Sequence, residues 1–262
     1  MRGKFPSFLF NHFNHSSWAL YYATVDAPPE IFEILTQHKD VVTRLVDLLK
    51  HPNVEVQTPA IRTVGNLLTG NEEQTEVIIS CGVLPSLANL FEHPKREIRK
   101  EVMWALSNVT AVAQHIQSVI DAEIFPKLFI MLSPARNETA DVKKEMYYTV
   151  INALAGGKDT QIQYLIDQGV IQQLCDGLDM DSPVLSVLLQ GLEKIMTYGT
   201  RTDKLEEICH MIEECGGVER IEALQEHNDE NIYQQAVHIL EYWQRMEMSH
   251  QIEFGPVSDD EM

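Results

Sequence analysis

The stretch that decides the fold is residues 100–110, "KEVMWALSNVT", in which Trp104 and Asn108 are four positions apart. On an α-helix, residues i and i+4 lie on one face, a single turn apart. An isolated pair of this kind is common, because Trp often anchors the core of an amphipathic helix and Asn often forms hydrogen bonds near a helix end. The pair therefore points to a function only if it recurs along the chain.

The chain contains internal repeats, and they predict its architecture. Five segments share an apolar pair, a short polar or glycine break and an apolar helix: "EILTQHKDVVTRLVDLL", "EVIISCGVLPSLANLF", "SVIDAEIFPKLFIML", "YLIDQGVIQQLCDGL" and "HMIEECGGVERIEALQ". Their anchor residues, which are 42, 41, 46 and 47 positions apart, are Leu45, Leu87, Leu128, Leu174 and Ile221. A longer helical segment follows each of them, and Gly and Pro separate the helices. Three helices in a unit of about 42 residues predict an all-α fold, a right-handed α-solenoid of armadillo repeats.

The repeats divide the sequence into three parts. Residues 1–15 are predicted to be a non-repeat N-terminal extension, residues 16–245 the armadillo-repeat array, and residues 246–262 an acidic C-terminal tail. The array is predicted to contain a partial first repeat, which begins at its third helix, and about five further repeats. Because a terminal repeat needs a polar outer face to stay in solution, we expect the N-terminal end to fray or to self-associate.

Composition excludes several classes of protein. The 262 residues are 44% hydrophobic, so the chain can bury a large core and is not intrinsically disordered. Its formal charge of −19 disfavours nucleic acid and anionic membranes and favours basic partners, although solubility alone would also explain it. Four cysteines without a CxxC arrangement indicate the reduced thiols of a cytosolic or nuclear protein.

We predict no cofactor and no metal site. Because the sequence has neither a phosphate loop nor a G-x-S-x-G motif, we also predict that the chain is not an enzyme.

The pair formed by Trp104 and Asn108 does recur, in step with the repeats. The same two positions of successive third helices hold Trp18 and Tyr22, Arg62 and Asn66, Trp104 and Asn108, Tyr148 and Asn152, and Gln190 and Lys194. The first members of these pairs are 44, 42, 44 and 42 residues apart. Core packing is the competing interpretation, but it does not require polar side chains at a position that repeats with the fold. We call the surface that carries these pairs the inner face.

The inner face has the chemistry of a peptide-binding surface. Packed helices lie about 8–10 Å apart and an extended chain advances about 3.3–3.6 Å per residue, so a peptide would meet one helix about every three residues. An Asn side chain offers both a donor and an acceptor to a peptide backbone, and Trp offers an aromatic wall to Lys or Arg. The carboxylates of Glu72 and Glu145 would select a cationic side chain. The predicted ligand is therefore an extended basic peptide.

Four longer motifs resemble the importin-alpha (karyopherin-alpha) family, in the C-terminal half of its armadillo-repeat domain. The motifs are "PAIRTVGNLLTGNEEQT", "KREIRKEVMWALSNVTA", "IQSVIDAEIFPKLF" and "IYQQAVHILEYW". The resemblance covers residues 16–245 and implies a nuclear import adaptor of the cytoplasm and nucleus, which binds basic nuclear localisation signals on the inner face. The implied signal-binding residues, at positions of the family's minor site, are Arg62, Asn66, Gly70, Glu72, Thr75, Trp104, Asn108, Glu145, Tyr148 and Asn152, with Trp18 and Tyr22 as additional inner-face residues.

The resemblance also implies a role for these residues. Asn108 and Asn152 would hold the backbone of the signal, while Trp104 would flank a basic side chain and Glu145 would pair with one. Tyr148 stands where the family has Trp, so the stacking surface at that position is smaller and we expect its pocket to be weaker.

Gly70 and Thr75 would line the pocket for a lysine of the signal.

The repeats of the family's major site and its importin-beta-binding segment have no counterpart in the sequence, so we expect no binding to importin-beta. The last repeats, residues 205–245, would contact the exportin that recycles the adaptor and a nucleoporin. This leaves a second hypothesis, in which the chain is a structural scaffold or a truncated regulatory paralogue that binds these partners rather than cargo.

Overall fold

A computed structural model describes residues 7–180 and 182–253, with the side chains of residues 15–180 and 184–245. Within these ranges every regular element is an α-helix or a short 3₁₀ turn, and no strand is present. By their internal contacts the residues divide into two units, 1–161 and 162–262.

The first unit contains most of the helices. Its helices are α1 (Ser7–Thr24), α2 (Pro29–Gln37), α3 (Lys39–Leu48), α4 (Val54–Leu67), α5 (Glu72–Ser80), α6 (Val83–Ala88), α7 (Arg96–Thr110), α8 (Ile116–Asp121), α9 (Ile124–Leu132) and α10 (Ala140–Gly156). Two 3₁₀ turns, Ala113–His115 and Pro134–Arg136, precede α8 and α10 respectively.

Helix α11 (Asp159–Asp167) begins in the first unit and continues into the second. The remaining helices are α12 (Val170–Gly177), α13 (Ser182–Arg201), α14 (Leu205–Glu214), α15 (Gly217–Ala223) and α16 (Glu230–Glu253). A 3₁₀ turn, Leu224–Glu226, lies between α15 and α16.

The helices follow one another in groups of three. A group of two short helices and a longer third helix recurs five times, from α2 to α16, and α1 packs against α4 as a third helix of the same kind. The predicted all-α armadillo-repeat fold is thereby confirmed. Helix α1 begins at Ser7 and α16 ends at Glu253, so both helices run into segments that the sequence pattern assigned to the extension and the tail. Self-association of the N-terminal end stays a prediction.

In four of the groups, a residue with a left-handed backbone conformation lies between the first and the second helix. Gly82, Gly169 and Gly216 have φ values of 79°, 88° and 63°, and Glu123 has a φ of 52° at the equivalent place. Glycine adopts this conformation without the steric cost that a Cβ atom imposes. The short polar or glycine break in the sequence template is therefore the turn that joins the two helices.

The third helices are amphipathic in a way that separates the core from the inner face. On α7, the apolar residues with 0% exposure are Ile98, Val102, Met103, Ala105, Leu106 and Val109. Trp104 and Asn108 lie on the remaining side of this helix and are only partly buried. Core packing thus accounts for the aliphatic residues of α7 and leaves the quoted pair at the surface.

Candidate functional site

The inner face of the first unit is carried by four third helices, α1, α4, α7 and α10, which pack against one another in this order. The predicted residues on these helices with intermediate burial are Trp18, Arg62, Asn66, Trp104, Asn108, Glu145, Tyr148 and Asn152. Tyr22 projects further and is 68% exposed. Gln190 and Lys194 lie on α13, in the second unit. The structure therefore brings four of the five predicted pairs onto consecutive helices of one unit.

The three asparagines of the inner face are each held by a hydrogen bond to the neighbouring third helix. Each donates one amide N–H to the preceding third helix: Asn66 to Oγ1 of Thr24 at 3.0 Å, Asn108 to the Gly65 carbonyl at 3.1 Å, and Asn152 to the Ser107 carbonyl at 3.0 Å. A neutral amide has a second N–H and an acceptor oxygen. Among the described residues neither of these groups has a partner, so each asparagine can still bind one donor and one acceptor of a peptide backbone.

The indole of Trp104 lies directly on the backbone of α4. A Cβ atom added to Gly65 would be 2.1 Å from Cζ3 of Trp104, and its three nearest heavy atoms would all belong to the indole. Glycine at position 65 therefore allows the indole to lie flat against the neighbouring helix. Because Asn108 bonds to the carbonyl of this same Gly65, one glycine positions both members of the pair on α7.

Arg62 occupies the position that holds Trp in the next repeat, and it is anchored on two sides. Its Nε donates to Glu101 at 2.8 Å, with 34% and 20% of the two side chains exposed, and its guanidinium lies 5.7 Å from the ring centroid of Tyr21. Tyr21 in turn contacts Trp18 and Tyr22, with ring centroids 5.7 Å and 5.2 Å away. This part of the inner face is filled by the chain's own cation and aromatic rings.

The segment from Gly70 to Thr75 is shaped by a helix cap. Asn71 accepts from the backbone N–H of Gln74 at 2.9 Å, and the Gln74 side chain accepts from the Asn71 N–H at 3.0 Å, which together form a capping box at the start of α5. Gly70, which precedes this cap, is partly exposed.

Thr75 and Glu72 have different environments within this segment. Thr75 has 0% exposure, and its hydroxyl has no hydrogen-bond partner in the part of the chain that the structure describes. A buried hydroxyl without a partner costs about 1–3 kcal/mol. The Glu72 side chain is exposed. The backbone carbonyl of Glu72 lies 3.2 Å from Nε2 of the buried His115, and this contact links α5 to the next repeat. The predicted lysine pocket therefore contains one orphaned polar atom, but that atom is not open to solvent.

Glu145 and Tyr148 are one helical turn apart on α10. Partial burial raises the pKa of Glu145, while the nearby ammonium groups of Lys100 and Lys144 act in the opposite direction. Within the described ranges the Glu145 carboxylate forms no ion pair, so it is a partly buried acid without a bound cation. Tyr148 does have a cation nearby, because Nζ of Lys144 lies 5.8 Å from its ring centroid.

Three neighbours of the site were not found from the sequence. Glu101 and Lys144 each lie one turn before a predicted inner-face residue, so the i, i+3 and i, i+4 rule could have identified them. Tyr21 precedes the predicted Tyr22 but is the ring that contacts Arg62. The side chain of Thr75, which was expected to line the pocket for a lysine, is fully buried, and its role in that pocket stays a prediction.

The described residues contain no group of three or more His, Cys, Asp or Glu side chains arranged to hold a metal ion. None of their helices combines the length and the apolar character that a membrane-spanning segment needs.

Comparison with known proteins identifies the same repeats. The chain matches the Armadillo/beta-catenin-like repeat at residues 37–69 and 71–111, and the Atypical Arm repeat at residues 206–251. A computationally designed armadillo repeat protein for modular peptide recognition has a TM-score of 0.78 and 26% identity, covering 88% of this chain and 93% of its own. A designed armadillo repeat protein in complex with the peptide (KR)4 has a TM-score of 0.73 and 26% identity, covering 88% of this chain and 91% of its own.

Natural relatives are more similar in sequence. Importin subunit alpha-1b of Oryza sativa subsp. japonica is 40% identical over 86% of this chain, and importin subunit alpha-4 of Arabidopsis thaliana is 39% identical over 91%. The chain spans 43% and 45% of the lengths of these two relatives. The similarity and the fold support the prediction of a binding protein rather than an enzyme. The chain is a homologue of the importin alpha subunits, built from armadillo repeats.

Proposed function

We propose that the chain is a nuclear import adaptor-like protein, which binds basic nuclear localisation signals in an extended conformation on the inner face of the first unit. The observation that carries this proposal is the set of Asn66, Asn108 and Asn152, which recur with the repeat and are each held by the preceding helix. Each amide keeps one donor and one acceptor for a ligand. Together they would bind the N–H and C=O groups of a peptide backbone without selecting its sequence.

Selectivity for basic side chains would come from the aromatic and acidic residues between the asparagines. Trp104 presents a partly exposed indole, over which no Lys or Arg of the described residues lies. An aliphatic stem and a cationic head fit such a ring by packing and by cation–π attraction. Glu145 would pair with a ligand cation, since its own carboxylate has no ion pair. A ligand lysine would enter beside Gly70, which is partly exposed, whereas the Thr75 hydroxyl is fully buried.

The proposal assigns the second unit a different role. The chain spans less than half of its importin alpha relatives, so their other partners do not transfer to it directly. If the last repeats bind a recycling exportin or a nucleoporin, they would do so through the second unit. Localisation in both cytoplasm and nucleus is part of this proposal.

Peptide binding is the direct test. We expect a fluorescently labelled lysine-rich localisation peptide to bind the full chain in an anisotropy titration, more tightly at low salt than at physiological salt. Asn108→Ala should weaken binding by at least about two- to tenfold, because each of its two hydrogen bonds to the peptide backbone is worth about 0.5–1.5 kcal/mol. Trp104→Ala should weaken it by about tenfold, because both stacking and cation–π contact are lost.

Asn89→Ala is the matched control for this titration. Asn89 is exposed and lies just after α6, away from the inner face, so its removal should leave the affinity unchanged. Circular dichroism should show that all variants remain helical. If the folded chain does not bind the peptide, or if Asn89→Ala weakens binding as much as Asn108→Ala, the scaffold hypothesis replaces this one.

Peptide affinity should also depend on pH through Glu145. Burial raises the pKa of Glu145 in the free protein, and a bound ligand cation would lower it, so the ionised form is favoured by binding. Affinity should therefore be highest at neutral pH and fall as the pH drops through the raised pKa toward 4.5, the ordinary value. Glu145→Gln should reduce affinity at neutral pH and flatten this dependence. An unchanged pH profile in Glu145→Gln, with Glu73→Gln as the exposed control, would exclude Glu145 as the titrating group.

A further inference from the structure

Lys144 places a cation of the chain itself against an aromatic ring of the inner face. Its Nζ lies 5.8 Å from the centroid of the Tyr148 ring, within the range of about 6 Å over which a cation–π attraction acts. The two residues are one turn apart on α10, so the contact forms within a single helix. Within the described ranges Lys144 forms no direct ion pair with a carboxylate, so its ammonium group is oriented by the ring contact together with a longer-range attraction to Glu145.

Arg62 also contacts an aromatic ring of the inner face, and it is held more firmly than Lys144. Arg62 contacts the Tyr21 ring and also donates to Glu101 at 2.8 Å, so two partners fix its position. Lys144 has a long flexible side chain, one weak ring contact and no direct ion pair within the described ranges. A ligand could therefore displace Lys144 from its ring, whereas displacing Arg62 would break an ion pair as well.

We propose that Lys144 is an internal substitute for a ligand cation at Tyr148, so that a basic peptide must displace it to use this ring, while the Trp104 indole is open from the start. The inference rests on the proposed function and concerns its regulation and selectivity. A ligand lysine beside Trp104 would contribute its full affinity. A ligand lysine beside Tyr148 would contribute less, because it replaces a contact that the chain already makes.

The ligand selectivity that follows is specific. A peptide whose only basic residue sits at Trp104 should bind almost as well as one with a second basic residue at Tyr148. Removing Lys144 should restore the affinity that the second basic residue contributes. A cation–π contact at an exposed site is worth about 0.5–1 kcal/mol, so the gain should be about two- to fivefold in affinity.

The test compares Lys144→Gln with Lys143→Gln in the anisotropy titration. The two substitutions remove the same charge from adjacent positions of α10, but only Lys144 contacts the Tyr148 ring. We expect Lys144→Gln to bind the lysine-rich peptide about two- to fivefold more tightly than Lys143→Gln does. The probe peptides carry alanine at each lysine in turn. The gain in affinity from Lys144→Gln should disappear only for the peptide that lacks the lysine beside Tyr148. It should also disappear when Tyr148→Ala is added.

Each other result overturns the inference in a way that can be recognised. Equal gains in both lysine variants would mean that only overall charge changes. A gain that survives Tyr148→Ala would mean that the ring is not involved. If the wild-type chain binds none of the peptides and Trp104→Ala changes nothing, the proposed function itself fails and the inference falls with it. Binding by the wild type without a difference between the two variants refutes the inference alone.

Discussion

Replacing Gly65 with alanine should destabilise the chain and weaken peptide binding at the same time. A Cβ atom at position 65 would lie 2.1 Å from the Trp104 ring, a distance that real Cβ contacts do not reach, so the indole must leave its place on α4. Overpacking of this kind lowers the free energy of unfolding by about 1–3 kcal/mol, which urea denaturation would measure. Affinity for the lysine-rich peptide should fall toward that of Trp104→Ala, because a displaced indole no longer flanks the ligand.

The same substitution should have the opposite sign when Trp104 is absent. The three heavy atoms closest to the added Cβ all belong to the indole, and Trp104→Ala removes them. Gly65 lies inside α4, where alanine is favoured over glycine by about 1 kcal/mol. Gly65→Ala should therefore stabilise the Trp104→Ala protein by up to about 1 kcal/mol. A double-mutant cycle gives the coupling between the two positions, and a stabilising effect of Gly65→Ala in the wild-type background would contradict the packing described above.

The pair at Trp104 and Asn108 could be predicted because two periodicities coincide there. The helical repeat places the two residues on one face, and the armadillo repeat returns the same positions on each third helix. What holds Asn108 in place could not be predicted. Its partner is a backbone carbonyl 43 residues earlier in the chain, and a carbonyl carries no signal in the amino-acid sequence.

The ends of the array and the burial of Thr75 could not be predicted from sequence patterns. Residues 7–15 lack the repeat template, but they contain no glycine or proline, so α1 continues through them. Thr75 was predicted from its place in a motif, and a motif does not report burial. Its side chain is fully buried, and its hydroxyl has no hydrogen-bond partner among the described residues.

Glu138→Gln should be among the most destabilising single substitutions in the first unit. Arg99 on α7 makes two hydrogen bonds with the Glu138 carboxylate, one of them from Nη2 to Oε1 at 2.8 Å. Only 17% of the Arg99 side chain and 5% of the Glu138 side chain are exposed. Removing the negative charge leaves a largely buried guanidinium with the His93 backbone carbonyl as acceptor but without its carboxylate partner, which should lower the free energy of unfolding by about 2–4 kcal/mol. Thermal and urea denaturation at neutral pH would measure this loss.

Glu92→Gln is the matched control, because it makes the same chemical change to an ion pair at the surface. Glu92 accepts from Arg136 at 2.8 Å, but 70% and 46% of these side chains are exposed, so the loss should be below about 1 kcal/mol. The hydrogen bonds from Arg99 lower the pKa of Glu138. The stability that Glu138 contributes is therefore fully present above 4.5, the ordinary pKa, and is lost as the pH falls through the lowered pKa of the folded state. The stability difference between wild type and Glu138→Gln should accordingly be constant near neutral pH and shrink in acid. Equal losses for both glutamine variants would show that burial does not strengthen the pair between Arg99 and Glu138.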